Sequence, residues 1–187
     1  HYIRGSVASV FETKEAADSI SFQLADAMQV DSVIYHDNRI SYNHEDDVVS
    51  ATLPSELAEG TTDSLTIFYQ GAPADSAAFA QGGHGPDDTP VIWTLSEPYG
   101  AKHWWPSKNA LSDKIDSLDI FVHVTPTQYE AASNGVLMKD TVLASEDERI
   151  FHWKHRYPIT TYLVAVAVSD YRKFEEYLHF RDDSLRQ

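Results

Sequence analysis

Hydrophobic and polar residues alternate along most of this chain with a period of two, which is typical of β-strands. In residues 2–12, Ile3, Val7 and Phe11 fall on one face, while Tyr2 and Val10 fall on the other. The same pattern, or a short apolar run, recurs at residues 19–24, 28–36, 39–43, 47–53, 64–70, 117–125, 135–138, 141–145, 149–155, 162–168 and 174–180. No segment has the period of a long helix, so the sequence predicts an all-β domain.

Residues that favour turns divide this pattern into strands. Asp37 and Asn38 tolerate the left-handed conformation of a tight turn, which predicts a hairpin between the segments on either side. Pro54 has no N–H to donate and predicts the end of the strand before it. Residues 55–60 are then expected to form a turn or a single helical turn.

Two longer stretches are less regular. Residues 71–90 are rich in Ala, Gly, Asp and Pro, which indicates a long connection, either functional or loosely held, with a short helix at residues 77–80. Residues 162–168 are apolar on both faces and predict a central strand that is buried on both sides.

Composition limits the function classes. A chain of 187 residues with 42% hydrophobic residues is expected to form one domain. The net charge of −15 and the lack of a basic stripe argue against nucleic-acid binding. There is no cysteine, hence no disulfide or thiolate zinc site, and no apolar run approaches the length of a membrane span. Because the chain starts with His1, we interpret it as a piece of a longer polypeptide.

Histidines and acids in metal-ligand spacing have weak support. Residues 44–48 begin with His-Glu, but Val48 stands where a helical zinc motif would have its second histidine, so this stretch is interpreted as an exposed polar loop. His152 and His155 are three residues apart in a predicted strand and therefore point to opposite faces.

Other catalytic patterns are also lacking. His84 with nearby aspartates could coordinate a hard cation, but such glycine-rich loops are usually solvated. There is no Gly-x-Ser-x-Gly nucleophile motif. The adjacent acids are interpreted as solvated surface charge: Asp46 and Asp47, Asp87 and Asp88, Glu175 and Glu176, Asp182 and Asp183.

Residues 91–106 hold three of the four tryptophans and a single carboxylate, Glu97. Pro98 biases Glu97 toward an extended conformation, and Gly100 can supply a bend, so the carboxylate is presented from a stiff turn. Trp104 and Trp105 have two possible roles. Packing of both between layers is favoured, and exposure of one of them to a ligand is the alternative.

Two stretches resemble the amino-terminal domain of M1-family zinc aminopeptidases. They are Trp-Thr-Leu-Ser-Glu-Pro-Tyr-Gly-Ala-Lys at 93–102, followed by Trp-Trp-Pro-Ser at 104–107, and Tyr-Pro-Ile-Thr-Thr-Tyr-Leu-Val-Ala at 157–165. Ile-Arg-Gly-Ser-Val at 3–7 is similar to an early strand of that domain. The resemblance covers nearly the whole chain. It implies a saddle-like, multi-sheet β domain over residues 1–175, with 176–187 starting the connection to a catalytic domain of the same polypeptide.

The resemblance also implies a function. In the family the acid that matches Glu97 binds the free α-amine of the peptide substrate, so Glu97 is the expected substrate-binding residue. The zinc motif and the Gly-x-Met-Glu-Asn motif belong to the catalytic domain and are absent here, so this part is expected to hold no cofactor and to be inactive alone. Leu95 replaces a commonly found glutamine, so the preferred first residue is not predicted. A soluble, periplasmic or secreted parent enzyme is expected.

A second hypothesis belongs to a different class. The chain could be a free-standing β-sandwich module that binds a carbohydrate or a protein partner through Trp104 or Trp105. Burial of both tryptophans between sheets would weaken it.

Overall fold

The computed structural model describes residues 2–73, 78–174, 176–180 and 183–186, and within these ranges the regular elements are strands and short 3-10 helices. The strands are β1 Ile3–Glu12, β2 Ala17–Gln23, β3 Met28–Tyr35, β4 Asn38–Ile40, β5 Tyr42–Glu45, β6 Val48–Leu57, β7 Thr62–Gly71, β8 Phe79–His84, β9 Thr89–Thr94, β10 Leu118–Val124, β11 Glu130–Ser133, β12 Val136–Leu143, β13 Glu148–His155, β14 Val166–Ser169, β15 Tyr177–Phe180 and β16 Asp183–Arg186. The 3-10 helices are Ala101–His103 and Thr161–Leu163.

The strands form several separate antiparallel sheets rather than one. Their orders are β1-β7-β3-β4, β2-β6-β5, β11-β14-β9-β8, β10-β13-β12 and β15-β16. The predicted all-β, multi-sheet architecture is confirmed. Sequence neighbours pair in β3–β4, β5–β6, β8–β9, β12–β13 and β15–β16, whereas the other pairings join strands distant in sequence. For example, β1 pairs with β7 over its whole length, from Ile3 with Gly71 to Glu12 with Thr62.

The larger hydrophobic core lies under the first two sheets and reaches the segment that follows β9. Leu24, Val33, Val49 and Ile67 are fully buried at its centre. Its other buried members are Phe22, Met28, Val30, Tyr35, Ala51, Leu53, Leu65, Tyr69, Phe79, Ala101, Trp104, Trp105 and Val164. The alternation in β1 is confirmed, since its residues are alternately half-buried and exposed and the apolar face packs on this core.

A smaller core is centred on Phe151 in β13, which is fully buried with Val124 and Ala131 beside it. Partly buried side chains surround these three, among them Trp153, whose Nε1 donates to the Ala131 carbonyl at 3.1 Å. The two cores are separate clusters of side chains, and the larger one also includes Val164 from the second half of the chain.

The structure corrects two predicted boundaries in the first half. The β3–β4 hairpin forms, but its turn consists of His36 and Asp37, both at positive φ (46° and 64°), one residue earlier than expected. The strand before Pro54 does not end there, because β6 continues past the proline. The pairing of β6 with β2 is irregular around Pro54, so the regular ladder does not need an N–H at this position.

Two irregular stretches also differ from expectation. Much of residues 71–90 forms the hairpin β8–β9, whose loop has positive φ at Gly85 and Asp88, rather than a long connection. Strand β8 already begins at Phe79, so the short helix expected at 77–80 is wrong there, and Ala77 lies outside the described residues. Residues 162–168 form a 3-10 turn and then β14, a central strand whose residues are mostly half-buried rather than buried on both sides.

An ion-pair network lies at the edge of the smaller core. Arg149 donates to both carboxylate oxygens of Asp140, at 2.7 and 2.6 Å, and to Glu130 at 2.7 Å. Lys173 reaches the same two acids, at 3.2 and 2.7 Å. The Arg149 guanidinium also lies 4.6 Å from the Phe151 ring centroid. The network therefore joins β11, β12 and β13 to the segment after β14.

The hydrogen bonds from Arg149 lower the pKa of Asp140, an effect that burial opposes and Lys173 reinforces. Because the folded pKa lies below the unfolded one, the stability from this carboxylate is fully present above about pH 4 and is lost as the pH falls through the folded pKa. We expect the urea midpoint of the 187-residue chain to fall between pH 5 and pH 2. In Asp140→Asn that fall should be shallower, and parallel curves for the two proteins would contradict the assignment.

Candidate functional site

Glu97 follows directly on a sheet. Strand β9 ends at Thr94. The next residue is still bonded to the segment before β8, since the Leu95 N–H donates to the Ala78 carbonyl at 3.1 Å. A four-residue turn begins at Glu97, and the Glu97–Pro98 peptide bond is cis. The carboxylate is therefore presented from a turn, as predicted from the sequence.

The base of this turn is fixed by a buried serine. The Gly100 N–H donates to the Ser96 carbonyl at 2.7 Å, and the Ser96 hydroxyl accepts from Trp104 Nε1 at 2.9 Å. Ser96 is only 1% exposed. Gly100 allows a close approach, because a Cβ there would make tight contacts, 3.0 Å from Ala78 Cβ and 3.1 Å from Ser96 Cα. The residue before Glu97 is thus held by backbone and side chain together.

A second attachment lies just after Glu97. The Tyr99 carbonyl accepts from Asn109 Nδ2 at 2.8 Å. The Asn109 backbone N–H in turn donates to Gln23 Oε1 at 2.7 Å, and the Gln23 N–H donates to the Ser107 carbonyl at 2.8 Å. The turn is therefore tied to the end of β2 as well as to Ala78, just before β8.

A third attachment is an ion pair that the sequence did not indicate. Lys102 Nζ lies 2.5 Å from Asp47 Oδ2, and the Lys102 carbonyl accepts from the Ala25 N–H at 2.8 Å. The hydrogen bond from Lys102 lowers the pKa of Asp47, and the Asp26 backbone N–H adds to this. The sequence predicts an exposed polar loop at Asp47, but the structure shows this side chain partly buried and paired with Lys102. It is 55 residues from Lys102 in sequence, so no local pattern could have paired them.

In residues 93–97, the side chains on the outer surface are apolar except for Glu97. Trp93, Leu95 and Glu97 are exposed, while Thr94 and Ser96 between them point inward. The exposed fraction is 39% for Trp93 and 64% for Leu95. The Glu97 carboxylate makes no hydrogen bond or ion pair with another residue that the structure describes. An unpaired carboxylate on a fixed turn can accept charge-assisted hydrogen bonds from an ammonium group.

Trp104 and Trp105 are both buried, 9% and 8% exposed, with ring centroids 5.9 Å apart. The favoured prediction of packing between layers is confirmed. Both tryptophans follow the 3-10 helix, and both of their backbone N–H groups donate to the Ala101 carbonyl at 3.2 Å. The two residues are therefore not in an extended segment, which would have pointed their side chains to opposite sides. Neither indole presents a face to solvent for stacking.

The histidines take other roles. His44 Nε2 bonds the Leu24 carbonyl at 2.8 Å, so this side chain is packed rather than part of an exposed loop. His84 Nε2 lies 2.9 Å from the buried Ser169 hydroxyl rather than joining Asp87 and Asp88. His152 is paired with Asp119 at 2.6 Å.

Within the described ranges, no group of three or more His, Asp or Glu side chains could hold a metal ion, and no helix is long and apolar enough to cross a membrane. Glu175 and Asp182 lie outside those ranges, so the two acid pairs expected there are not described.

No protein-family model and no curated protein sequence matches the chain. Solved structures do. An M1 zinc metallopeptidase point mutant from Deinococcus radiodurans matches with a TM-score of 0.82 and 21% identity over 99% of this chain and 42% of that one. The enzyme itself, and the mutant bound to a Tyr-Ser-Ala substrate, each match with a TM-score of 0.81, 21% identity and the same coverage.

The chain therefore spans less than half the length of the metallopeptidases that it matches. The match confirms the predicted fold and, at the level of fold, the resemblance to the M1 family. At 21% identity it establishes nothing further about chemistry.

Proposed function

We propose that this chain is the amino-terminal β domain of an M1-type zinc aminopeptidase, and that Glu97 binds the free α-amine of the peptide substrate. The observation that supports the proposal most directly is the position of Glu97. Its carboxylate is exposed and unpaired among the described residues, yet the turn that presents it is attached at Ser96, Tyr99 and Lys102. A rigid, unpaired acid can bind an ammonium without first breaking a bond to its own protein.

The proposal divides the work between two domains. Residues 1–175 form the β domain, and 176–187 begin the connection to a catalytic domain of the same polypeptide. Zinc is bound by that second domain, which supplies the hydrolytic chemistry. Residues of the present chain cap the active site and orient the amino terminus of the substrate. A periplasmic or secreted location remains part of this proposal.

The alternative of a binding module that stacks a ligand on Trp104 or Trp105 loses its support. Both rings are packed in the larger core, and the Trp104 N–H is already bonded to Ser96.

The full polypeptide should hydrolyse aminoacyl reporters, and a zinc chelator should abolish that activity. Reporters with an acetylated α-amine should react far more slowly, because acetylation removes the charge that Glu97 binds. The 187-residue chain alone should be inactive and serves as the blank. Chelator-resistant activity, or equal rates with free and acetylated amines, would contradict the proposal.

A further inference from the structure

The ion pair behind the Glu97 turn joins two parts of the fold that are distant in sequence. Asp47 lies in the turn between β5 and β6, where Asp46 and Asp47 have φ values of 54° and 60°. Lys102 lies in the 3-10 helix that follows the Glu97 turn. The side chains are 27% and 32% exposed for Lys102 and Asp47, respectively, so solvent reaches the pair only in part.

Asp47 is itself held in place by several bonds. The Asp26 N–H donates to Asp47 Oδ1 at 2.9 Å, and the Asp47 N–H donates to Asp26 Oδ1 at 3.0 Å. The Leu24 N–H also donates to the Asp47 carbonyl at 2.9 Å. This reciprocal pairing fixes the carboxylate that Lys102 meets, so the ion pair connects the Glu97 segment to the two loops that hold Asp26 and Asp47.

The Lys102 backbone is attached to the loop between β2 and β3, because its carbonyl accepts from the Ala25 N–H. Lys102 is therefore bonded through its main chain to Ala25 and through its side chain to Asp47. Ser96 fixes the turn on the other side of Glu97. On the carboxyl-terminal side of the Glu97 turn, the described contact between opposite charges is the ion pair of Lys102 with Asp47.

We propose that Asp47 is a positioning residue for Glu97, acting through its ion pair with Lys102. The inference rests on the proposed amine-binding function. Loss of the pair would leave the carboxyl-terminal side of the turn less restrained, so the Glu97 carboxylate would meet the substrate ammonium less often in the correct geometry. Binding of substrates that have a free amine should weaken, whereas the reacting groups in the catalytic domain should be unaffected.

The test uses the full polypeptide and an aminoacyl reporter. Asp47→Asn should raise KM roughly three- to tenfold with kcat nearly unchanged, since partly exposed ion pairs contribute modestly. Lys102→Met should have the same effect and replaces Asp47→Asn in the test if that variant does not fold.

Asp119→Asn is a matched control, because Asp119 forms a partly exposed pair with Lys154 at 3.0 Å in a different sheet. Its KM should equal that of the wild type. A KM within twofold of the wild type for both Asp47→Asn and Lys102→Met would overturn the proposal. If Glu97→Ala also leaves KM unchanged, the proposed amine-binding function is refuted. If Glu97→Ala raises KM but the Asp47 and Lys102 variants do not, only the role of Asp47 is refuted.

Discussion

Replacing Glu97 with alanine is expected to raise KM for aminoacyl reporters roughly 10- to 150-fold in the full polypeptide, the range for loss of a hydrogen bond to a charged group of about 1.5–3 kcal/mol. The effect should appear mainly in KM if the amine is bound equally in the ground and transition states. The measurement is steady-state kinetics with a free-amine reporter. Glu97→Gln should lie between wild type and alanine, because the amide retains an acceptor oxygen but not the charge.

The matched control is Glu59→Ala, which removes an exposed acid from the turn between β6 and β7. It should leave KM unchanged even though it alters net charge equally. Residual activity on an acetylated reporter should be the same in wild type and Glu97→Ala, because no ammonium is present to bind. An equal loss for both reporters would mean that Glu97 affects folding or domain packing instead.

The sequence predicted the strands well where burial alternates regularly. In β1 one face packs on the larger core, so period-two alternation and structure agree residue by residue. Prediction was wrong where tertiary context outweighs local preference. Pro54 continues a strand because the ladder with β2 is irregular there. Residues 162–168 are apolar, but apolar character does not distinguish a 3-10 turn against the core from a strand, and both occur.

The site was predictable only in part. Pro98 and Gly100 indicated a stiff turn, and the structure has one. Its attachments to Asp47 and Gln23 come from residues far away in sequence, which no periodicity can pair. The exposed acid could be recognised by its neighbours along the chain, but the parts that hold it required the fold.

Trp104→Ala should be among the most destabilising single substitutions, at about 3–5 kcal/mol for a buried tryptophan. The ring packs against Phe79 and Trp105, with centroids at 6.1 and 5.9 Å, and it supports Ser96 directly before Glu97. The measurement is the urea midpoint of the 187-residue chain. A change below about 1 kcal/mol would mean that the core collapses around the gap or that the ring is not packed.

Phenylalanine substitutions separate packing from hydrogen bonding at this position. Trp104 and Trp105 are adjacent and almost equally buried, but only Trp104 donates its indole N–H to a described partner, while Trp105 Nε1 is buried without one. Trp104→Phe leaves the buried Ser96 hydroxyl unpaired, so it should cost about 1–3 kcal/mol more than Trp105→Phe, which removes an unsatisfied group. Adding Ser96→Ala to Trp104→Phe should cost less than the two single changes summed, because both polar partners are then absent. Equal costs for the two phenylalanine variants would show that the Trp104–Ser96 bond does not hold the base of the Glu97 turn.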